Sequence, residues 1–172
     1  MRKVISIFQY TTIAIGIIVI MLFLIPRFFG IRPYIVLSGS MEEEIKTGSV
    51  AYVDTKVKAD EIKEGDIIAF NMGTRQVTHR VVSINSDKTF TTKGDANNVI
   101  DANSVKFSSC LGKTIFSLPY LGYILSAAQT KFGYVILVLV IGMNIITLIF
   151  NDENKNNKKD KSNKIETKEQ GI

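Results

Sequence analysis

Tryptophan is absent from this chain of 172 residues, and cysteine and histidine occur once each. One cysteine excludes a disulfide framework and any zinc or iron–sulfur site built from several thiolates. One histidine excludes every metal site that needs two imidazoles. Charge is missing from two long stretches, although 22% of the chain is Asp, Glu, Lys or Arg. Those two stretches place the chain among membrane proteins, and the scarcity of Cys and His leaves few candidates for chemistry. No metal or cofactor is expected.

The first uncharged run, Val4 to Pro26, is 23 residues long and follows Arg2 and Lys3. A hydrocarbon core of about 30 Å is crossed by about 20 apolar residues as helix. The basic flank is the one found on the cytoplasmic side. A cleavable signal peptide would have a shorter core and small residues at its end. Here Pro26-Arg27-Phe28-Phe29 follows instead, which favours an uncleaved anchor. The second run, Phe132 to Asn151, is 20 residues between Lys131 and Asp152 and holds Gly142 and Asn144, read as tolerated rather than as helix contacts. Beyond it, residues 152–172 are rich in Lys and Asn and lack aromatics, the composition of a disordered tail. Its six lysines favour the cytoplasm.

These features divide the chain into an N-terminus with its anchor (1–26), a segment outside the cytoplasm (27–131), a second transmembrane helix (132–151) and a cytoplasmic tail (152–172). The expected location is the cell membrane, multi-pass, with both termini inside. Residues 27–131 carry 13 basic and 11 acidic side chains, a net of +2, so the positive charge sits mostly at the ends and no nucleic-acid partner is implied. Arg27 and Arg32 fall on the outer side against the positive-inside rule, where lipid head groups are their natural contacts.

The middle segment reads as strands. Tyr34–Leu37, Ser49–Asp54, Ile67–Phe70, Gln76–Ile84 and Thr89–Thr92 are apolar or alternating, and Glu64–Asp66, Asn71–Thr74 and Asn85–Asp87 separate them as turns. Connections this short cannot hold parallel crossovers. The expected fold class is mainly β, an antiparallel sheet anchored by an N-terminal and a C-terminal transmembrane helix. Tyr120 to Gln129, behind Pro119, reads as a short interfacial helix.

Three places in that sheet could carry chemistry. Leu37-Ser38-Gly39-Ser40-Met41 sets two hydroxyls just past a strand end, able to supply a nucleophile and an oxyanion donor, though Ser-Gly-Ser is also a common loop. His79 shares a strand face with Val77 and Val81 and so points inward; imidazole is the side chain suited to general-base work near neutrality. Lys93-Gly94-Asp95-Ala96-Asn97-Asn98-Val99-Ile100-Asp101 is rich in turn formers and holds two carboxylates, Asp95 and Asp101, either able to orient an imidazole.

The ordered series of one anchor, SGSM, GDIIAF, THRVV and KGDANNVID resembles type I signal peptidases, in their endoplasmic-reticulum-type branch with the SipW-like enzymes. The likeness spans Tyr34 to Tyr123. It implies a membrane-bound serine endopeptidase that removes signal peptides from exported preproteins after a small-x-small motif. Its partners would be preprotein signal peptides emerging from the secretion translocon, and the lipid bilayer. By that resemblance Ser40 is the nucleophile, Ser38 and the Ser40 N–H bind the oxyanion, and His79 is the base where the commoner bacterial branch has lysine. Asp101 then completes the triad in preference to Asp95, the aspartate of the family's GD-x-N motif, and Gly94 is needed for its backbone conformation. One departure is Glu43, where the family usually has proline in SGSMEP; the run Glu42 to Ile45 could then start a helical turn. A non-catalytic, membrane-anchored β module for binding or assembly is the competing reading.

Overall fold

The computed structural model describes residues 2–149; the tail and the last two residues of the second apolar run, Phe150 and Asn151, lie outside the described residues. Helix α1 (Arg2–Phe23) gives way at Leu24 to the single turn α2 (Ile25–Phe28), with Pro26 in its first positions where a missing N–H costs nothing. Seven strands follow: β1 (Ile31–Ile35), β2 (Val50–Asp54), β3 (Ile67–Met72), β4 (Arg75–Ile84), β5 (Thr89–Lys93), β6 (Val105–Lys106) and β7 (Cys110–Leu118). Helix α3 (Leu121–Ala128) and the apolar helix α4 (Lys131–Ile149) complete the order. More of the described residues are helical than extended, so "mainly β" holds for the segment between the anchors and not for the whole chain. The two long apolar helices account for the difference.

The chain separates into two compact units, Ile18–Ala127 and the remainder of both ends. In the latter, the hydroxyl of Thr12 donates to Asn144 Oδ1 at 2.8 Å. Asn144 therefore faces the other helix instead of being merely tolerated. A bond of this kind between apolar helices contributes about 1 kcal/mol.

The other unit is one sheet in the order β1-β2-β7-β3-β4-β5-β6, antiparallel at every pairing. The β3–β4 hairpin is tighter than the four-residue turn its sequence suggests. Met72 pairs with Arg75, leaving Gly73-Thr74 as a two-residue loop in which Gly73 has φ +60. A positive φ at the first loop position is the geometry that matches strand twist. This loop sets the register that places His79 opposite Ile68, and a slip of one residue would turn His79 to the other face. Beneath the sheet, Ile62, Ile68, Phe70, Val81, Phe90 and Val105 form the core. Strand β1 begins and ends earlier than its apolar run indicates, with Val36 and Leu37 beyond it. β7, with no counterpart among the expected strands, is inserted between β2 and β3 and ties the two halves together. Cys110 lies against the core at its start, where burial pushes the thiol pKa up and keeps it unreactive.

Candidate active site

Ser40 stands in the turn that leaves β1. Its neighbour Met41 is 1% exposed, so an apolar side chain plugged into the interior fixes the backbone beside the hydroxyl. The turn closes through Glu42 N–H donating to the Gly39 carbonyl at 3.0 Å and Ile45 N–H to the Met41 carbonyl at 2.8 Å. The run Glu42 to Ile45 is a single turn and not a helix, because Glu43 has φ +85. Proline, held near −65°, cannot adopt that angle. A proline at position 43 would therefore not fit this backbone. The Glu42 carboxylate steadies the turn by accepting from the Thr47 hydroxyl at 2.8 Å.

Three side chains from separate elements meet here. His79, on β4 and 7% exposed, has Nε2 at 3.0 Å from Ser40 Oγ. Its Nδ1 lies 2.6 Å from Asp101 Oδ2. A carboxylate only accepts, so Nδ1 carries the proton and Nε2 presents a lone pair to the serine hydroxyl, which donates to it. Phe70 stands edge-on to the imidazole at 6.1 Å and limits its tilt. Asp101 is held from two sides: its N–H donates to the Thr92 carbonyl at 2.8 Å, and the Thr92 hydroxyl donates to Oδ2 at 2.6 Å.

Thr92 has no place among the sequence-derived candidates. It is fully buried on β5, sharing a face with Phe90. A hydroxyl at an inward strand position, two residues before the Gly94-Asp95 loop, was the available signal.

Asp95 does not touch His79. It grips Arg80, which donates from Nε at 2.9 Å and from Nη2 at 2.6 Å. Hydrogen bonding to Asp95 raises the Arg80 pKa above its usual value against the opposing effect of burial, with the charges of Asp95 and Glu44 adding. This fork ties the loop to β4, and the loop meets the nucleophile turn where Ala96 N–H donates to the Ser40 carbonyl at 2.9 Å and Asp95 N–H points at the Met41 sulfur at 3.4 Å. Of the two carboxylates left open by the sequence, Asp101 adjoins the imidazole and Asp95 braces the turn.

Gly94 is needed for a reason other than its backbone angle, which is not in the left-handed region. A Cβ there would lie 2.5 Å from the Ser40 carbonyl oxygen and 3.0 Å from Ser40 Cβ. Gly94→Ala is therefore expected to displace Ser40 and lower turnover roughly 10²-fold. Steady-state kinetics on the folded variant checks this, and an unchanged kcat would refute the packing argument.

Ser38 Oγ lies 3.4 Å from Ser40 Oγ, and both residues line one open groove of about 520 Å³. The Ser40 N–H has no acceptor among the described residues. Ile35 and Val36 form one wall, Val77 and Thr78 the other, with Ala69 between them. The two walls are unpaired strand edges. β1 pairs only with β2, and β5 joins β4 only from Arg80 onward. Among the described residues no cluster of His, Cys, Asp and Glu could hold a metal ion.

A family model described as signal peptidase, peptidase S26, matches residues 8–106, a stretch that contains Ser38, Ser40, His79, Thr92, Asp95 and Asp101. Signal peptidase I W of Bacillus subtilis (strain 168) is 37% identical over 130 residues, covering 68% of this chain and 68% of that protein.

Proposed function

Because the chain belongs to the signal peptidase family, peptidase S26, and is a hydrolase of the signal peptidase I type, we propose that it cleaves preproteins by a Ser40–His79–Asp101 triad. The observation that carries the proposal is the pair of contacts through one imidazole, 3.0 Å to Ser40 and 2.6 Å to Asp101.

In this mechanism Ser40 Oγ attacks the scissile carbonyl while His79 Nε2 takes its proton. Asp101 holds the ring in the required tautomer and stabilises the imidazolium. The tetrahedral oxyanion is met by the Ser40 N–H and the Ser38 hydroxyl, each worth roughly 3–4 kcal/mol in comparable sites. His79 then protonates the leaving amine, and water releases the acyl group by the same path. Thr92 and the Arg80–Asp95 fork act through others, the first on Asp101 and the second on the Ser40 turn.

The groove suits an extended peptide, whose backbone can pair with the free edge of β1 on one side and of β4 on the other. Ala69, Ile35, Val36 and Val77 line the groove beside Ser40 with apolar side chains, which supports selection of small apolar residues before the cleaved bond. Both helical anchors are apolar and long enough to cross a bilayer. We place the β unit outside the cytoplasm and both termini inside it. Enzyme and emerging signal peptide then share one surface, which raises their effective concentration.

The test is cleavage of an A-x-A preprotein by the full-length protein in detergent, with the new N-terminus sequenced. Cleavage at the signal junction is expected, and replacing the residue before the bond with Leu should lower kcat/KM roughly 10- to 100-fold. Equal cleavage of both substrates would overturn the small-residue preference, and cleavage elsewhere would overturn the substrate class.

A further inference from the structure

A second cavity, of about 470 Å³, opens where the first anchor meets the sheet and is lined by Arg27, Arg32, Pro33, Tyr34 and Gln76. It contains two guanidinium groups and no carboxylate. Neither guanidinium has a hydrogen bond or ion pair with another described residue, although residues 27–131 hold 11 acidic side chains. Both arginines are exposed, and two guanidinium groups lining one cavity with no internal anion make a local positive field that an external anion would neutralise.

Its depth identifies the anion. The apolar span Ile5–Phe28 is 24 residues, or about 36 Å of helix at 1.5 Å per residue, slightly more than a hydrocarbon core of about 30 Å. Arg27 therefore leaves the hydrocarbon at the level of the phosphates. Phe28 and Phe29 beside it are 84% and 64% exposed, the pattern of aromatic rings seated at a membrane interface. Arg32 follows on β1, and Tyr34 and Gln76 add a hydroxyl and an amide as further donors. Guanidinium groups match phosphate oxygens in a two-toothed geometry that lysine does not reproduce.

We infer that this cavity binds the phosphate of a net anionic phospholipid head group. Tyr34 and Gln76 also line the catalytic groove, so the bound lipid lies at the groove's anchor-proximal end. The site lies on whichever side of the membrane holds the β unit, so it does not depend on the proposed topology.

The experiment measures the Tm of the full-length protein in neutral detergent micelles doped with phosphatidylglycerol, with phosphatidylcholine, or with inorganic phosphate at equal concentration. A ligand that binds only the folded state raises Tm, here by roughly 4 °C for phosphatidylglycerol. The rise should be small for phosphatidylcholine, whose choline cation opposes the arginines. It should disappear in Arg27→Gln/Arg32→Gln and return in part in Arg27→Lys/Arg32→Lys. The melting curve of each variant reports its own folding, so loss of the fold cannot pass for loss of the site. Equal shifts with both lipids, a full shift with inorganic phosphate alone, or an undiminished shift in the glutamine variant would each overturn the inference.

Discussion

Ser40→Ala is expected to reduce cleavage of a preprotein by at least about 10⁴-fold, with His79→Gln falling to the same level. Among the described residues the serine variant removes the only hydroxyl bonded to His79 Nε2, and the glutamine variant leaves that hydroxyl without a base. Because the two side chains act as one unit, the double variant should be no slower than either single one. What residual rate remains would come from the oxyanion donors and from binding in the groove. Substrate affinity should be nearly unaltered, because neither change touches the groove walls at Ile35, Val36 and Val77. Glutamine is the better probe than alanine at His79, which is 7% exposed, since a cavity there would cost stability of its own. Single-turnover cleavage beside a thermal melt separates chemistry from folding. A His79→Gln enzyme at wild-type rate would remove histidine from the mechanism while leaving the family assignment untouched.

The second large effect is expected from Asp101→Asn, a loss of about 10⁴-fold with the fold intact. The amide nearly preserves the shape of the carboxylate but offers an N–H to His79 Nδ1. The imidazole answers by moving its own proton to Nε2, where it faces Ser40 and cannot accept. Thr92→Val, which removes only the 2.6 Å hydroxyl bond to Asp101, should cost about tenfold, in line with one hydrogen bond to a charged group. Asp95→Asn supplies the contrast. Asp95 bonds Arg80 rather than His79, so its loss loosens the 94–97 loop and should lower thermal stability more than it alters the histidine. Comparable rate losses at both aspartates, with no difference in melting, would show that the 2.6 Å contact of Asp101 is not what orients the base.

Reading the residues in order was enough to identify the two apolar spans, because hydropathy over some twenty residues is a local sum that no distant contact can change. The same holds for the β3–β4 hairpin, marked by an apolar run before Gly73 and alternation after it, and for the inward face of His79, which follows from a period of two. The motifs around Ser40, His79 and Asp101 were legible as chemistry because their residue types are uncommon in that order. Strand β7 was not legible. Gly112, Lys113 and Ser117 interrupt its alternation, and its partners in β2 and β3 lie some 40 to 70 residues earlier in the chain.

The residues by themselves left Asp95 and Asp101 open, the resemblance preferred Asp101, and the contacts that separate the two belong to the tertiary structure. The two stand six residues apart in one loop of turn formers, and nothing local says which way that loop folds back. The decision comes from Thr92, whose carbonyl takes the Asp101 N–H, and from Arg80, which draws Asp95 away. Gly94 likewise has an ordinary backbone angle, and only the approach of Ser40 from 54 residues earlier makes a Cβ intolerable there. The groove is a sharper case still, since it exists only because two unpaired edges some 40 residues apart in sequence come to face one another. Periodicity and hydropathy are carried by neighbours along the chain. Distances between 2.5 and 3.5 Å across it are set by packing and hydrogen bonding between elements that no local pattern connects.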